Sequence, residues 1–447
     1  MGAANFGDAR LTERVVTLVR QLASTPACSF PRSLEPAQLK AAYRFFDNDQ
    51  VDVDGVLAPH IDRTLQRMAR VPVVLAVQDT TEFNLTHLEA TEGLGYGTGN
   101  NSRGFMLHGM LAVTPEGLPL GVLGMKTWVR ADAELGKKHQ RTQRPFEEKE
   151  SVKWREGLDH LSALKARCAE TRLVAVGDRE SDIYEVFAAE RAEGVDWLIR
   201  AAWDRKTEHP EQDLWPTVMA SPVLGTTQLE VQAQRGLAKR TASLSIRCAP
   251  VRLREPRRQA SRLVGLEPID VFAIHAIETN APHGVTPLEW MLLSSVPTTT
   301  YAQALERLEW YARRWTIESW HRVLKSGCRI EQRQFGNLDR FVRATALFAI
   351  ISWRIMYATL LGRAAPALSC EVLLQPDEWK ALHARTHRTT KPPDQTPTLG
   401  EVVLWIAQLG GYLNRKSDRP PGTTVMWKGF LVVHEITEMY RIFTQSR

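Results

Sequence analysis

Five cysteines are few for 447 residues, and the number is odd. Cys28, Cys168, Cys248, Cys328 and Cys370 are scattered, and no Cys-x-x-Cys pair occurs. Neither a zinc site nor a disulfide framework is indicated, and reduced thiols in a cytoplasmic protein are the simplest reading. No apolar run reaches the roughly 18 residues of a membrane span. No charged-then-apolar segment opens the chain as a secretory signal would. There is no internal repeat, and no large excess of one charge sign: the net charge is +6 and the pI about 9.1. That balance permits nucleic-acid contact without demanding it. A hydrophobic share of 43% with 24% charged residues describes a globular chain with a large core. At this length two or three domains are expected.

The hydrophobic period changes along the chain. Residues 8–70 read as helical. Asp8 can cap a helix running through Leu11, Val15, Leu18 and Leu22, Pro26 and Pro31 break it, and further helices cover 39–46 and 56–68. The apolar run 71–77 predicts a strand buried on both faces, ending at Gln78-Asp79-Thr80-Thr81. Strands are predicted at 105–113 and 120–128 around Pro115-Glu116-Gly117, then a surface loop at 130–150. A helix over 149–168 leads to a strand at 173–176 ending in Gly177-Asp178, and a helix over 183–192 follows. Residues 197–200 resume strand character, and 225–300 alternate as antiparallel β. Helix returns at Tyr301 and continues to about 361. Lys391-Pro392-Pro393 reads as a linker, and a last helical segment covers 399–440 with breaks at Gly410-Gly411 and Pro420-Pro421-Gly422.

Residues 311–325 carry the most information. Tyr311, Arg314, Glu318 and Lys325 stand at i, i+3, i+7 and i+14. At about 100° per residue they share an arc of roughly 60° on one α-helix. A core helix would place Leu or Ile there. One acid among phosphate-binding groups suits a metal ion beside a nucleic-acid backbone. By itself, Glu318 reads as a solvated helix residue.

Asp79 and Asp178 each follow a short β-rich run, and in a parallel α/β sheet the carboxyl ends of strands open onto the ligand crevice. With Glu318 across that crevice they form a three-carboxylate cluster suited to hard cations such as Mg²⁺ or Mn²⁺. Two such ions about 3.5–4 Å apart would activate a water or a 3′-hydroxyl and stabilise the leaving oxygen. A lone Asp after a strand is more often a turn or cap residue, and Glu180 and Asp182 are read as caps for the helix at Ile183. Three independent placements agreeing favour the cluster. Trp290, in Leu288-Glu289-Trp290-Met291-Leu292, reads from its neighbours as core. His321 and Arg322 lie on or beside the Glu318 face. Between positions 235 and 262 there are nine Lys or Arg residues and one acid, Glu255, which reads as a solvated loop or a DNA-facing patch.

The runs Asp79-Thr80-Thr81 and Gly177-Asp178-Arg179-Glu180-Ser181-Asp182, with Tyr-x2-Arg-x3-Glu-x6-Lys at 311–325, resemble the DDE transposases of bacterial insertion sequences. Within that family the likeness is to the hairpin-forming, cut-and-paste branch of the composite kanamycin-resistance transposon. It extends over nearly the whole chain, through Gly7-Asp8-Ala9-Arg10, Ala42-Tyr43-Arg44-Phe45-Phe46, Ser102-Arg103-Gly104, Glu148-Lys149-Glu150-Ser151 and Leu409-Gly410-Gly411-Tyr412-Leu413. The resemblance implies an α/β fold: an RNase H-like mixed-sheet catalytic core over 71–361 with a β-rich insertion at about 197–300. A helical end-binding domain (1–70) and a helical dimerisation domain (362–447) would flank it. It implies catalytic and metal-binding roles for Asp79, Asp178 and Glu318 with two Mg²⁺ or Mn²⁺ ions. Tyr311, Arg314 and Lys325 would hold end phosphates, Arg200 would contact end DNA, and His321 and Arg322 would touch DNA. Arg322 stands where the relative has Lys, which keeps the charge and alters the geometry. Trp290 would stack a base flipped out during hairpin formation. The implied partners are double-stranded DNA (terminal inverted repeats and target) and a second copy in a synaptic dimer, in the bacterial cytoplasm at the nucleoid.

Relatives carry a short segment ahead of Gly-Asp-Ala-Arg, and here residues 1–6 stand in its place. Three readings follow: an active transposase, an N-terminally short non-catalytic inhibitor of transposition, or a structure-selective nuclease without mobility. The presence of all three acids favours the first.

Overall fold

The computed structural model describes residues 1–99, 101–136, 144–231, 240–256, 267–389 and 391–445. It opens with helices α1 (Ala9–Ser24), α2 (Phe30–Ser33), α3 (Pro36–Phe46) and α4 (Val53–Met68). Each long helix starts where a side chain satisfies a free amide. The Asp8 carboxylate accepts from Arg10 N–H, Glu35 and Gln38 form a reciprocal capping box, and Asp52 accepts from Gly55 N–H. Leu11, Val15, Leu18 and Leu22 form the buried stripe of α1.

Strands β1 (Val73–Asn84), β2 (Gly95–Tyr96), β3 (Arg103–Val113) and β4 (Pro119–Trp128) follow, then α5 (Val152–Lys165), β5 (Arg172–Gly177), α6 (Tyr184–Phe187) and β6 (Val195–Arg200). After α7 (Leu214–Met219) come β7 (Gly225–Val231), β8 (Arg240–Leu253), β9 (Ile269–Glu278) and β10 (Glu289–Ser294). All ten strands form one sheet in the order β2-β3-β1-β5-β6-β10-β9-β8-β7, with β4 also paired to β3. β1, β5 and β6 run parallel, and the other pairings are antiparallel. This mixed sheet with flanking helices is an RNase H-like core. The stretch at 197–200, expected to open the β-rich insertion, instead pairs parallel with β5. The antiparallel strands β7–β10 are grafted onto it through Leu292↔Arg200.

β1 is longer than its apolar run. Its parallel pairing with β5 ends at Val77↔Val176, while antiparallel pairing with β3 carries it to Asn84↔Gly104. Asp79 therefore lies inside the strand rather than after it. The polar residues 78–82 hid the continuation because only one neighbour sustains it.

The second half is helical: α8 (Tyr301–Ala312), α9 (Trp315–Arg322), α10 (Leu338–Ala364), α11 (Pro376–His387), α12 (Leu399–Leu409) and α13 (Thr423–Gln445). The single helix expected from Tyr301 onward is interrupted at Arg313-Arg314. There the amides of 313 and 314 bond three residues back, to Trp310 and Tyr311. Past α9 the chain loosens into a π-turn, Val323–Gly327, closed by Cys328 N–H to Val323 C=O at 2.8 Å. Such turns re-aim side chains without ending the rod. Only α10 is long and apolar enough to cross a membrane by length and composition, among the described residues, and 72% of its apolar window is buried inside the fold.

The two faces of β1 feed two cores. Leu75 and Val77 join Leu107, Leu111, Trp320, α10 and the terminal helices. Val74 and Ala76 join Met110, α5 and Tyr184 on the other side. The helix expected over 183–192 shortens to α6, and Asp182 does not cap it. Its fully buried carboxylate accepts from Ala202 N–H (2.6 Å), Trp203 N–H (3.0 Å) and Arg205 Nε–H (2.7 Å), holding the loop after β6. Much of the basic run at 235–262 lies outside the described residues. Of its described members, Arg240 pairs with Glu278 and Arg252 with Glu208 and Asp270.

Candidate active site

Asp79 and Asp178 each stand two residues beyond the parallel pair Val77↔Val176, so the register itself sets them side by side. Glu318 enters from α9, which packs across β1 and β3 with Ile317 and Trp320 fully buried. The residue opposite Asp79 on β3 is Gly109. A Cβ there would lie 2.6 Å from Cζ3 of Trp320, so the bare backbone is the seat of the indole. The Trp320 Nε1–H donates to the Ala349 carbonyl of α10 at 3.1 Å, pinning α9 between sheet and helix.

Arg314 lies among the acids. Its Nη2 donates to Glu318 Oε1 at 2.7 Å, and its Nη1 is 3.9 Å from Asp79 Oδ2. Asp79 also accepts from Thr80 N–H at 2.9 Å. Burial, reinforced by the carboxylates of Asp178 and Glu318, pushes the Asp79 carboxyl up to about 6 against the opposing pull of the Thr80 amide and Arg314. Asp178 accepts from Glu180 N–H at 2.9 Å.

The remaining residues fall into three groups. Tyr311 is buried, and its phenol is held above its ordinary value chiefly by that burial, against the pull of the Arg314 and Arg200 guanidinium groups. Arg200 Nη2 donates to the Glu289 carbonyl at 2.9 Å. Trp290, half-buried, meets Tyr311 in a T-shaped contact with 5.4 Å between ring centroids. Among the described residues, Arg200 Nε and Arg314 Nε are buried donors without a partner. Buried unpaired donors are costly, and an anionic oxygen would satisfy them. Lys325 stands apart, its Nζ donating to the Glu82 carbonyl and lying 3.8 Å from Glu331. Arg322 is exposed.

His321 departs from its expected placement against DNA. It is 6% exposed, and burial, with Lys325 nearby, pushes its imidazole down to about 3. It stands four residues after the fully buried Ile317, on the same face of α9 and beside Trp320 (5.2 Å between rings), so a neutral core histidine results. The residue not foreseen is Trp315, 59% exposed beside the Arg314 guanidinium at 5.2 Å. A tryptophan flanked by arginine at the start of a polar helix face was the available signal.

The three carboxylates, expected to share two divalent ions, are not drawn into one close cluster. Among the described residues no three His, Cys, Asp or Glu side chains are grouped to hold a metal. Like charges repel, and the single Arg314 guanidinium, bonded to Glu318 and 3.9 Å from Asp79, offsets only part of their charge. The donor set nevertheless fits a hard divalent cation. It is all carboxylate oxygen, and the raised Asp79 carboxyl is a group that a cation would relieve.

Residues 148–353 match a family described as the transposase DDE domain, residues 1–51 one described as transposase DNA-binding, and residues 350–445 one described as the transposase Tn5 dimerisation domain. The chain belongs to the DDE transposases. The transposase is thus a metal-dependent enzyme that uses divalent ions, Mg²⁺ or Mn²⁺, binds DNA and forms dimers. Asp178 and Glu318 fall within the matched DDE segment, whereas Asp79 precedes it.

Proposed function

We propose that the transposase excises and inserts its own element. It binds terminal inverted repeats, pairs two ends as a synaptic dimer, cuts both strands through a hairpin, and joins the 3′ ends to target DNA. The observation that carries this reading is the gathering of Asp79, Asp178, Glu318, Arg314, Tyr311, Arg200 and Trp290 along one line of the sheet and α8–α9. A functional division into 1–70, 71–361 and 362–447 accords with the helical ends and the central sheet, although α10 runs through the second boundary.

Asp79, Asp178 and Glu318 would hold two divalent ions, which supply Lewis-acid stabilisation and an activated water or 3′-hydroxyl. Arg314 then leaves the carboxylates and offers its guanidinium, including the unpartnered Nε, to a phosphate. Tyr311, kept protonated by its raised value, donates to a neighbouring phosphate oxygen. Trp290 exposes a ring face to an unstacked base when Tyr311 turns to DNA. Lys325 and the exposed Arg322 and Trp315 extend the contact along the strand.

The test uses DNA flanking the gene. With Mg²⁺, the purified transposase should nick, form hairpins on and release an end fragment. Cleavage of unrelated DNA at the same rate would leave only a nuclease.

A pH dependence follows from Asp79. A proton competes with the cation for its carboxylate, so DNA-free Mn²⁺ affinity should hold above pH about 6 and weaken below it, by up to about tenfold per pH unit. Calorimetric titration between pH 5 and 8 checks this, and a flat profile removes Asp79 from the ligand set.

A further inference from the structure

Beyond Val77↔Val176 the strand β1 loses its β5 neighbour, so the segment carrying Asp79 keeps a backbone ladder on one side only. Its cross-strand partner, Gly109, has no side chain to support it. The missing support comes from the opposite face. Residues 78 and 80 point away from Asp79, since strand side chains alternate. His108 of β3, directly across from Thr80, contacts both: Nδ1 lies 3.0 Å from Thr80 Oγ1 and Nε2 lies 3.2 Å from Gln78 Oε1. The Gln78 carbonyl oxygen only accepts, so Nε2 carries the proton and Nδ1 accepts from the Thr80 hydroxyl. One neutral tautomer satisfies both bonds. The ring has no freedom to leave: it is 5% exposed, and the Trp154 ring of α5 meets it at 4.7 Å. At Gly157 of α5, a Cβ would stand 2.2 Å from Gln78 Oε1, so the helix closes over the glutamine. Burial first, then the charges of Lys153 and Lys126, push the imidazole down to about 3, and it stays neutral at working pH.

We propose that His108 is a positioning residue for Asp79, clamping the residues on either side of it so that the carboxylate is presented at a fixed height to the cation and to Glu318. This rests on the reading of Asp79 as a metal-binding carboxylate. Partners that orient a metal ligand typically contribute 10–100-fold to metal affinity or activity.

The test compares the full-length transposase with His108→Leu, which fills the space without either bond, and with His108→Gln, whose amide can accept from Thr80 and donate to Gln78. Free Mn²⁺ is read by electron paramagnetic resonance without DNA, and binding to end DNA is read by gel shift without metal. His108→Leu should weaken Mn²⁺ binding by about 10–100-fold while DNA affinity stays within about twofold, and His108→Gln should recover most of the loss. If His108→Leu does not fold, Thr80→Val removes one arm of the clamp and should weaken Mn²⁺ binding in the same direction. Unchanged Mn²⁺ affinity in a folded His108→Leu or Thr80→Val protein overturns the proposal, as does a loss that His108→Gln does not recover. Asp79→Asn run alongside separates the two claims. If it binds Mn²⁺ normally, the reading of Asp79 falls; if it does not and His108→Leu does, only the clamp falls.

Discussion

Asp79→Asn is expected to lower strand cleavage on the order of 10³-fold or more while making the metal-free protein more stable at neutral pH. The first effect follows from removing a charged oxygen ligand. The second follows from the sign of the shift. An unfolded chain titrates Asp near 3.8, and the folded site holds Asp79 at about 6. Between those values the folded state binds more protons than the unfolded state, so stability falls as pH rises through this window and stays lower above it. Two pH units correspond to roughly 3 kcal/mol as an upper figure. Asparagine carries no charge to bury, and its carbonyl oxygen can still accept from Thr80 N–H. The melting temperature of Asp79→Asn should therefore exceed that of the wild type by a few degrees at pH 7.5 without metal, with the gap closing near pH 4. Mg²⁺ should raise the wild type and leave the variant unmoved. An equal or lower melting temperature at pH 7.5 would show that the cleft does not strain this carboxylate. A group that destabilises the empty protein and is needed only with its cation is a stability cost tied to function.

The parts of this site legible in the sequence are those fixed by short-range pattern. The apolar runs before Asp79 and Asp178 gave two parallel strands, and their register sets the two acids side by side. The spacing 311, 314, 318 put three side chains into one cleft even though the helix is broken at 313–314, because the tight turn keeps helical dihedrals. His321 follows the buried Ile317 by four residues and so lies on the core face of α9, which the polar neighbours concealed. Past α9 the period changes, and Lys325, on the π-turn, reaches the far end of β1 at Glu82 rather than the carboxylates. The continuation of β1 through 78–84 was illegible for another reason. Its ladder partner β3 lies about twenty residues ahead, and polar alternation reads equally as loop. Arg314 could be assigned to phosphate from its place on the helix. Its position between two carboxylates depends on the charges that converge there, which no local pattern records.

The largest loss of fold and activity together is expected where α9 meets the sheet. Trp320 is fully buried, spans from Gly109 of β3 to the Ala349 carbonyl of α10, and stands two residues after Glu318. Trp320→Ala should cost roughly 3–5 kcal/mol, the range for deleting a buried aromatic ring, and cleavage should be lost because α9 no longer fixes Glu318 over Asp79. Gly109→Ala attacks the same contact from below. Its methyl would lie 2.6 Å from Cζ3 of the indole. Trp320 is held on its far side by a hydrogen bond, so the strain passes to the helix, and a cost of about 1–3 kcal/mol is expected. The two changes are not independent. In Gly109→Ala with Trp320→Ala the added methyl enters space that the indole has vacated, so the double variant should lose less than the sum of the singles. Urea unfolding of the four proteins gives that coupling, and end cleavage read in parallel gives the functional share. Simple additivity would place Trp320 and Gly109 in separate packing sites and leave the height of Glu318 above the sheet to some other contact.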